Sequence, residues 1–393
     1  MPYPPELSQW MSEVSTNLSH LRRGQAYGLA LISYAVVLVQ SCGTSHVACF
    51  LAQLLGQREN SARQRVREMY YEAGQKRGDQ RRQLEVTLCF APLLGWVQRL
   101  WRSEDQDLML ALDATTLRQT FTVLAISVML GGCAIPVAWA IVPANQPGRW
   151  RPHWERLLGQ VAEGLSPTYR VWVTADRGLY ARWLFVAIQA NGWHPLLRIN
   201  AQGSCCDRQT GQRWALATIA AVCRHRLWRA DVLCFQGRAQ LPCTLLALWD
   251  DGQDEAWLLV SDVPPTQASP TWYALRMWIE AGFKALKSAG FHWERTRMTD
   301  PARAERLWLV LALAVLRAAM TAWHTTEPAP RWALPDPLAR RQRPATTPSY
   351  PRLNLLKRGM LRQLAASIRQ YSLPGRLPVF VLPRPPLVEA LQR

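Results

Sequence analysis

The chain has 393 residues, nearly half of them apolar, and a formal net charge of +18. That apolar content excludes an intrinsically disordered chain, and the length is enough for two or three domains around a substantial core. A protein this basic usually meets a polyanion, most often nucleic acid and less often an anionic membrane surface, although charge sign is only a weak guide to partner.

The opening "MPYPPELSQW" is polar and Pro-rich, unlike a secretory leader. The longest apolar run, "YGLALISYAVVLVQ" (Tyr27–Gln40), is shorter than the roughly 20 residues a membrane span needs and reads as a buried helix. No membrane role is expected. Nine cysteines in no regular framework fit a reducing cytoplasm. Cys205, Cys206, Cys223, His225, Cys234 and Cys243 cluster in sequence, but without the Cys-x-x-Cys pair of structural zinc sites, so buried or free thiols are the favoured reading over zinc. Of the nineteen tryptophans, most, including Trp139, Trp172, Trp183 and Trp193, sit in apolar surroundings and read as core.

Residues 1–105 read as helices. "GTSHVACFLAQLLGQ" has helical apolar spacing, and "NSARQRVREMYYEAGQKRG" follows as a second helix with Asn60 or Ser61 as its N-cap. Arg63, Arg67, Lys76 and Arg77 make that second helix basic, which suggests a helix-turn-helix-like DNA-binding unit. A solvated charged face explains the same residues about equally well.

The periodicity then changes. "DLMLALDATT" (Asp107–Thr116), "TFTVLAISVML" and "AIPVAWAIVP" read as three strands, with Gly131-Gly132 as a turn, joined in antiparallel fashion. "GRWRPHWERLLGQVAEGL" is a helix ending at Gly164, "YRVWVTADRGLY" a fourth strand, "ARWLFVAIQANG" a helix and "HPLLRIN" a fifth strand. The order over residues 106–200 is thus βββαβαβ. Residues 201–262 form a β-rich insertion with short alternating runs such as "CTLLALWD" and "EAWLLVSDVP". Residues 263–325 return to helix, first "WYALRMWIEAGFKALKSAG" (Trp272–Gly290), then "DPARAERLWLVLALAVLRAAM". The tail, 326–393, is Pro- and Arg-rich and reads as an extended, poorly packed linker interrupted by one amphipathic helix, "RLNLLKRGMLRQLAASIRQ"; the closing "LPGRLPVFVLPRPP" is too rich in proline for a central strand.

Three acids stand out by position. Asp113 ends the first strand, Asp176 ends the fourth, and Glu280 lies on the helix after the insertion. If strands one and four are neighbours, both Asp side chains emerge at one edge, where a packed helix can bring Glu280 alongside. Oxygen-only ligands of this kind suit Mg²⁺ or Mn²⁺, and two such ions about 3.5–4 Å apart can drive an in-line phosphoryl displacement. At 100° per residue, Tyr273, Arg276, Glu280, Lys284 and Lys287 share one helical stripe, opposite Leu275, Ile279, Phe283 and Leu286. The stripe reads as an exposed phosphate grip whose single acid is tolerated because it binds metal; Arg276→Ala is then expected to spare the fold. Glu255, Asp262 and Glu294 are alternatives to Glu280 that lie off the stripe.

Tyr273, Arg276, Glu280 and Lys287 form a Tyr-x2-Arg-x3-Glu-x6-Lys pattern. With "LALDATT" around Asp113, "VTADRGLYA" around Asp176 and "TDPARAERLWLVLALA" after the Glu, the chain resembles the DDE transposases of bacterial insertion sequences over residues 20–370. The resemblance implies an α/β, ribonuclease-H-like mixed sheet flanked by helices, with a β-rich insertion and an N-terminal all-helical DNA-binding domain. It implies Asp113, Asp176 and Glu280 as ligands of two Mg²⁺ ions, with Mn²⁺ as a substitute. Arg276 and Lys287 would grip phosphates, Tyr273 would add a hydrogen bond, and Trp257 would stack a base flipped from the element's end. The implied activity is cut-and-paste transposition on double-stranded DNA, at the inverted ends and the target, by a homodimer in the cytoplasm at the nucleoid. The alternatives are a catalytically silent, repressor-like DNA-binding derivative and a plain Mg²⁺-dependent nuclease.

Overall fold

The computed structural model of the chain describes residues 3–77, 81–101, 103, 106–145, 150–224, 226–235, 240–249, 253–322, 354–373, 375–380 and 382. Most of the Pro/Arg-rich linker, His225 and the last residues of the chain lie outside them. The fold is mixed α/β, a large mixed sheet with helices.

Five helices come first: α1 (Pro5–Asn17), α2 (Arg23–Val39), α3 (Thr44–Leu55), α4 (Glu59–Tyr70) and α5 (Phe90–Leu100). The run Tyr27–Gln40 falls in α2, whose residues from Gly28 to Val37 are buried. No single helix among the described residues is long and apolar enough to cross a membrane. The second basic helix is shorter than its composition suggests. It starts at Glu59, capped by Arg58 rather than Asn60 or Ser61, and stops at Tyr70, because Tyr71 turns to extended backbone. A separate 3₁₀ turn, Ala73–Gln75, follows, so Lys76 and Arg77 do not share a helix with Arg63 and Arg67.

Strands β1 (Asp107–Leu117), β2 (Phe121–Leu130) and β3 (Cys133–Pro143) are antiparallel, and Gly131 and Gly132 turn at φ 56° and 83°, which glycine adopts without a Cβ clash. Every residue of β2 is buried. Helix α6 (Arg151–Gly164) then leads to β4 (Arg170–Ala175), and α7 (Arg182–Ala190) to β5 (His194–Ile199). β4 and β5 run parallel to β1, giving a local order β3-β2-β1-β4-β5.

The segment 201–262 supplies β6 (Ser204–Asp207), β7 (Arg213–Ala215), helix α8 (Leu216–Val222), β8 (Trp228–Cys234), β9 (Leu241–Leu248) and β10 (Trp257–Ser261). These strands do not form a sheet of their own. β10 pairs antiparallel with β5, and the whole becomes one ten-stranded sheet, β3-β2-β1-β4-β5-β10-β9-β8-β6-β7. Its cysteines are free, and among the described residues no group of three or more His, Cys, Asp or Glu is arranged to hold a metal ion.

A 3₁₀ turn (Pro270–Arg276) precedes α9 (Met277–Leu286), and α10 (Pro301–Thr321) follows. α10 is strongly apolar and, from Arg306 onward, wholly buried: it packs against β3, α2, α4 and the C-terminal helix α11 (Leu355–Arg369). α11 is therefore part of the core rather than an interruption in a loose tail. Leu355, Leu356 and Met360 are buried, and an added Cβ at Gly359 would fall 1.7 Å from the Ala318 carbonyl oxygen. Inside this packing Arg317 of α10 meets Glu6 of α1, both almost wholly buried, and the Leu373 N–H donates to the same carboxylate. The pair ties α1 and the segment after α11 to α10.

Candidate active site

β1 is buried from Asp107 to Leu112, apolar after that first residue, and becomes half-buried at Asp113. β1 pairs with β4 up to Leu112 opposite Ala175, so the next residues, Asp113 and Asp176, leave that pairing at the same level. Asp113 is not the end of its strand, as the sequence suggests. β1 runs on to Leu117 because β2 keeps pairing with it, Asp113 lying opposite Ala125. Each acid is fixed by its own turn: Asp113 Oδ1 accepts from Ala114 N–H at 2.8 Å, and Asp176 Oδ1 from Arg177 N–H at 2.7 Å.

The third acid arrives on α9, which lies on β3, β2 and β1. Gly282 lets it approach, since an added Cβ there would come 2.9 Å from the Ala134 Cβ. The single helix expected over 272–290 is two pieces. Pro270 and the Ser269 cap, whose hydroxyl accepts from Thr271 N–H, start a 3₁₀ turn, and the α-helix begins only at Met277 and ends at Leu286. A 3₁₀ turn eclipses residues three apart, so Tyr273 and Arg276 point the same way, inward. Both are buried.

Arg276 is consequently not the exposed phosphate contact that helical spacing suggests. Its Nη2 lies 3.0 Å from Asp113 Oδ2 and 3.5 Å from Asp176 Oδ2, and its Nη1 is 2.7 Å from Glu280 Oε1. One guanidinium thus bridges carboxylates from β1, the β4 turn and α9. The acids grade outward: their side chains are 16%, 35% and 58% exposed, while Arg276's is 10%. Burial raises the pKa of Asp113 above its usual value, with Arg276 the main influence in the other direction. Arg276 itself is held protonated: burial works against its charge, but Tyr273, Asp113 and Asp176 outweigh it. Tyr273 donates its hydroxyl proton to Asp176 Oδ1 at 3.2 Å, and burial pushes its pKa up, so it stays a donor.

The remaining stripe residues diverge. Lys284 is exposed on α9. Lys287 turns back to the sheet, where its Nζ donates to Thr115 Oγ1 at 2.7 Å and Thr116 O at 2.8 Å, clamping β1 just beyond Asp113. Burial lowers its pKa. Trp257, half-buried at the start of β10, sets its ring edge-on to Tyr273 at 5.1 Å. On α4, Arg63 pairs with Glu59 one turn back and Arg67 is exposed; beyond that helix Lys76 donates to Arg82 O and Arg77 is exposed.

The stand-in acids have other partners. Glu255 pairs with Arg177 and Arg198, Asp262 with His194, and Glu294 with His292. Arg198 is the site residue that the sequence reading missed. It projects from β5 to within 3.9 Å of Asp176 and bonds Glu255 at 2.8 Å. A lone cation inside the apolar run "HPLLRI", beside the strand that ends in Asp176, was the available signal.

Whether these acids suit a divalent cation can be judged from the donor set. All three offer carboxylate oxygens, and Asp113 and Asp176 both lie within 3.5 Å of one nitrogen of a cation. Hard cations take such ligands. The burial that penalises the Asp113 charge is offset by any cation placed among the three. The residue types suit such a cation, but with Arg276 among them these oxygens are not arranged to hold one: no group of three or more His, Cys, Asp or Glu among the described residues is so placed, and Arg276 must first give up oxygens it now holds.

Residues 151–317 match the family described as the transposase DDE domain. The matched segment holds Asp176, Tyr273, Arg276, Glu280 and Lys287, and begins after Asp113. No curated protein sequence matches the chain. Among solved structures it is similar to the piggyBac transposase in a cryo-EM structure of that enzyme's synaptic complex with hairpin DNA, at TM-score 0.35 and 8% identity over 78% of this chain and 73% of that one. The family match supports a DDE transposase.

Proposed function

We propose that the chain is a cut-and-paste DNA transposase of the insertion-sequence type, with a ribonuclease-H-like core, in which Asp113, Asp176 and Glu280 hold two divalent cations, Mg²⁺ or Mn²⁺. The observation that carries this reading is the convergence of three carboxylates from separate elements on one guanidinium. When bound, the cations supply activation of the attacking hydroxyl and neutralisation of the leaving oxygen. The rest is done by the chain. Tyr273 orients Asp176, Lys287 fixes the β1 segment beyond Asp113, and Gly282 seats the Glu280 helix on the sheet. Arg276, released from some of its present partners, sits where a phosphate beside the cut is bound, as would Lys284. Arg67, Arg77 and the α3–α4 pair add contacts to the duplex, and Trp257 provides an aromatic platform for an unstacked base. A homodimer holding two inverted ends, acting at the nucleoid in the cytoplasm, completes the reading.

The test is cleavage of labelled duplex DNA carrying the element's end and flank, with Mg²⁺ or with EDTA, by the wild type and by Glu280→Gln. Metal-dependent cutting at the boundary that Glu280→Gln abolishes while still binding is the expected result. Binding without cutting in Mn²⁺ with both ends supplied would favour a silent, repressor-like protein. Cutting without regard to the ends would favour a plain nuclease.

A further inference from the structure

A second cationic feature lies away from the carboxylates. Beyond α9 the chain turns back, with His292 N–H donating to Lys287 O and Phe291 O accepting from Cys42 N–H. This brings residues 292–303 against the start of α3 and the end of α4, and the three walls enclose a cleft of about 520 Å³. Arg67 projects from the α4 wall, Arg295 and Arg297 from the loop wall. Arg67 and Arg297 make no ion pair among the described residues, and Arg295 has only a 3.9 Å contact with Glu294. The one carboxylate lining the cleft, Asp300, is spent on capping α10, where it accepts from Arg303 N–H.

Backbone donors complete the cleft. α3 starts at Thr44 from Gly43, which offers no side-chain cap, so its first-turn residues Thr44 and Ser45 line the cleft with N–H groups that no intrahelical carbonyl accepts. Tyr70, 3% exposed, forms part of the wall. Arginines without carboxylates and open helix N–H groups share one complement, an oxyanion.

We propose that this cleft is a phosphate-binding site that takes the backbone of a DNA strand, separate from the carboxylate site. The polymer, rather than a free anion, is favoured by position. The loop wall continues directly from the helix that bears Glu280, and Glu280 to Leu286 is about 9 Å along that helix at 1.5 Å per residue. The acids and the loop wall of the cleft thus lie on consecutive segments of the chain. Binding there needs no metal and no cutting, so it stands or falls independently of the catalytic reading.

The experiment is fluorescence anisotropy with a short labelled duplex of arbitrary sequence, in EDTA, across a salt series, using the full chain. Arg67→Gln with Arg297→Gln is compared with Arg151→Gln plus Arg208→Gln, which removes the same charge at positions already paired with Glu155 and Asp231. Melting temperatures verify that each variant is folded. The cleft double variant is expected to bind at least tenfold more weakly at about 0.1 M salt, with a log–log salt slope shallower by about 1.8, or about 0.9 for each phosphate no longer neutralised. The control pair should change affinity less than about threefold, as removal of paired surface charges does. Equal losses in both variants would overturn the proposal, since net charge alone would then account for binding. So would a second result: inorganic phosphate raising the melting temperature of the wild type but not of the cleft variant, with duplex binding unaffected. That pattern would assign the cleft to a free anion.

Discussion

Arg276→Gln removes the cation from the centre of three carboxylates, and the structure sets the size of the effect. Removing one partner of a fully buried pair costs about 3–5 kcal/mol, and an exposed pair contributes about 0–1 kcal/mol. The bond to Asp113, whose side chain is 16% exposed, belongs near the first class; that to Glu280, 58% exposed and one turn along the helix, belongs to the second. A loss of about 2–3 kcal/mol at neutral pH is expected in metal-free buffer. The loss should also depend on pH. Burial already raises the Asp113 carboxyl above its ordinary value of 3.8, and Arg276 is the main influence holding it down. A carboxyl whose pKa is higher folded than unfolded binds its proton more firmly when folded, so stability falls as pH rises above the unfolded value. In the variant that fall is steeper, and the deficit should grow from about pH 4.5 to pH 7.5. Urea unfolding midpoints in EDTA across that range measure it. Adding Mg²⁺ should restore about 1–3 kcal/mol to the variant, since a ligand at 10 to 100 times its Kd stabilises by roughly that much. A deficit that is the same at both pH values and indifferent to Mg²⁺ would refute the reasoning, because Arg276 would then be packing rather than neutralising charge.

Two further outcomes follow from the packing. Gly282→Ala places a Cβ 2.9 Å from that of Ala134, so α9 must shift by tenths of an ångström on the sheet and carry Glu280 with it. End cleavage should slow on the order of 10- to 100-fold while duplex binding is retained, and an unchanged rate would show that the site tolerates the displacement. Glu6→Gln leaves Arg317 buried beside only the more distant Glu13, at 3.8 Å, and should lower stability by about 3–5 kcal/mol, seen as early proteolysis of the α11 segment. Pairing Glu6→Met with Arg317→Met should recover much of that loss, since apolar residues of similar volume often replace a buried ion pair without penalty; a double variant worse than Glu6→Gln would contradict it.

The parts of this molecule that a sequence discloses are those that depend on neighbours in the chain. The apolar runs that stop at Asp113 and Asp176 are visible as letters, as is the strongly apolar stretch of α10. The pairing of β1 with β4, which places those acids side by side, stays conditional in the sequence because no alternation pattern names a partner strand. For the same reason the segment 201–262 reads as an insertion, although β10 pairs with β5 and extends one continuous sheet. α11 shows its apolar stripe, but the close approach of Gly359 to Ala318 that locks it to α10 depends on a residue about forty positions away in the chain.

The instructive departure is at Arg276. A uniform 100° per residue across 272–290 turns Tyr273, Arg276, Glu280 and Lys287 into one outward stripe, and an outward arginine in a basic protein invites only a phosphate. Ser269 and Pro270 were the warning, a cap and a first-turn proline that favour a short tight turn before the helix proper. That change of winding moves Tyr273 and Arg276 under Glu280, onto Asp176 and Asp113. It alters the chemistry and not merely the geometry, because the arginine becomes the counterion that lets three acids share a half-buried site. Divalent cations and DNA phosphate then compete for the opposite ends of one interaction. Cations take the carboxylates, phosphate takes the guanidinium, and each makes room for the other, so under the proposed function metal and DNA should bind more tightly together than either does alone.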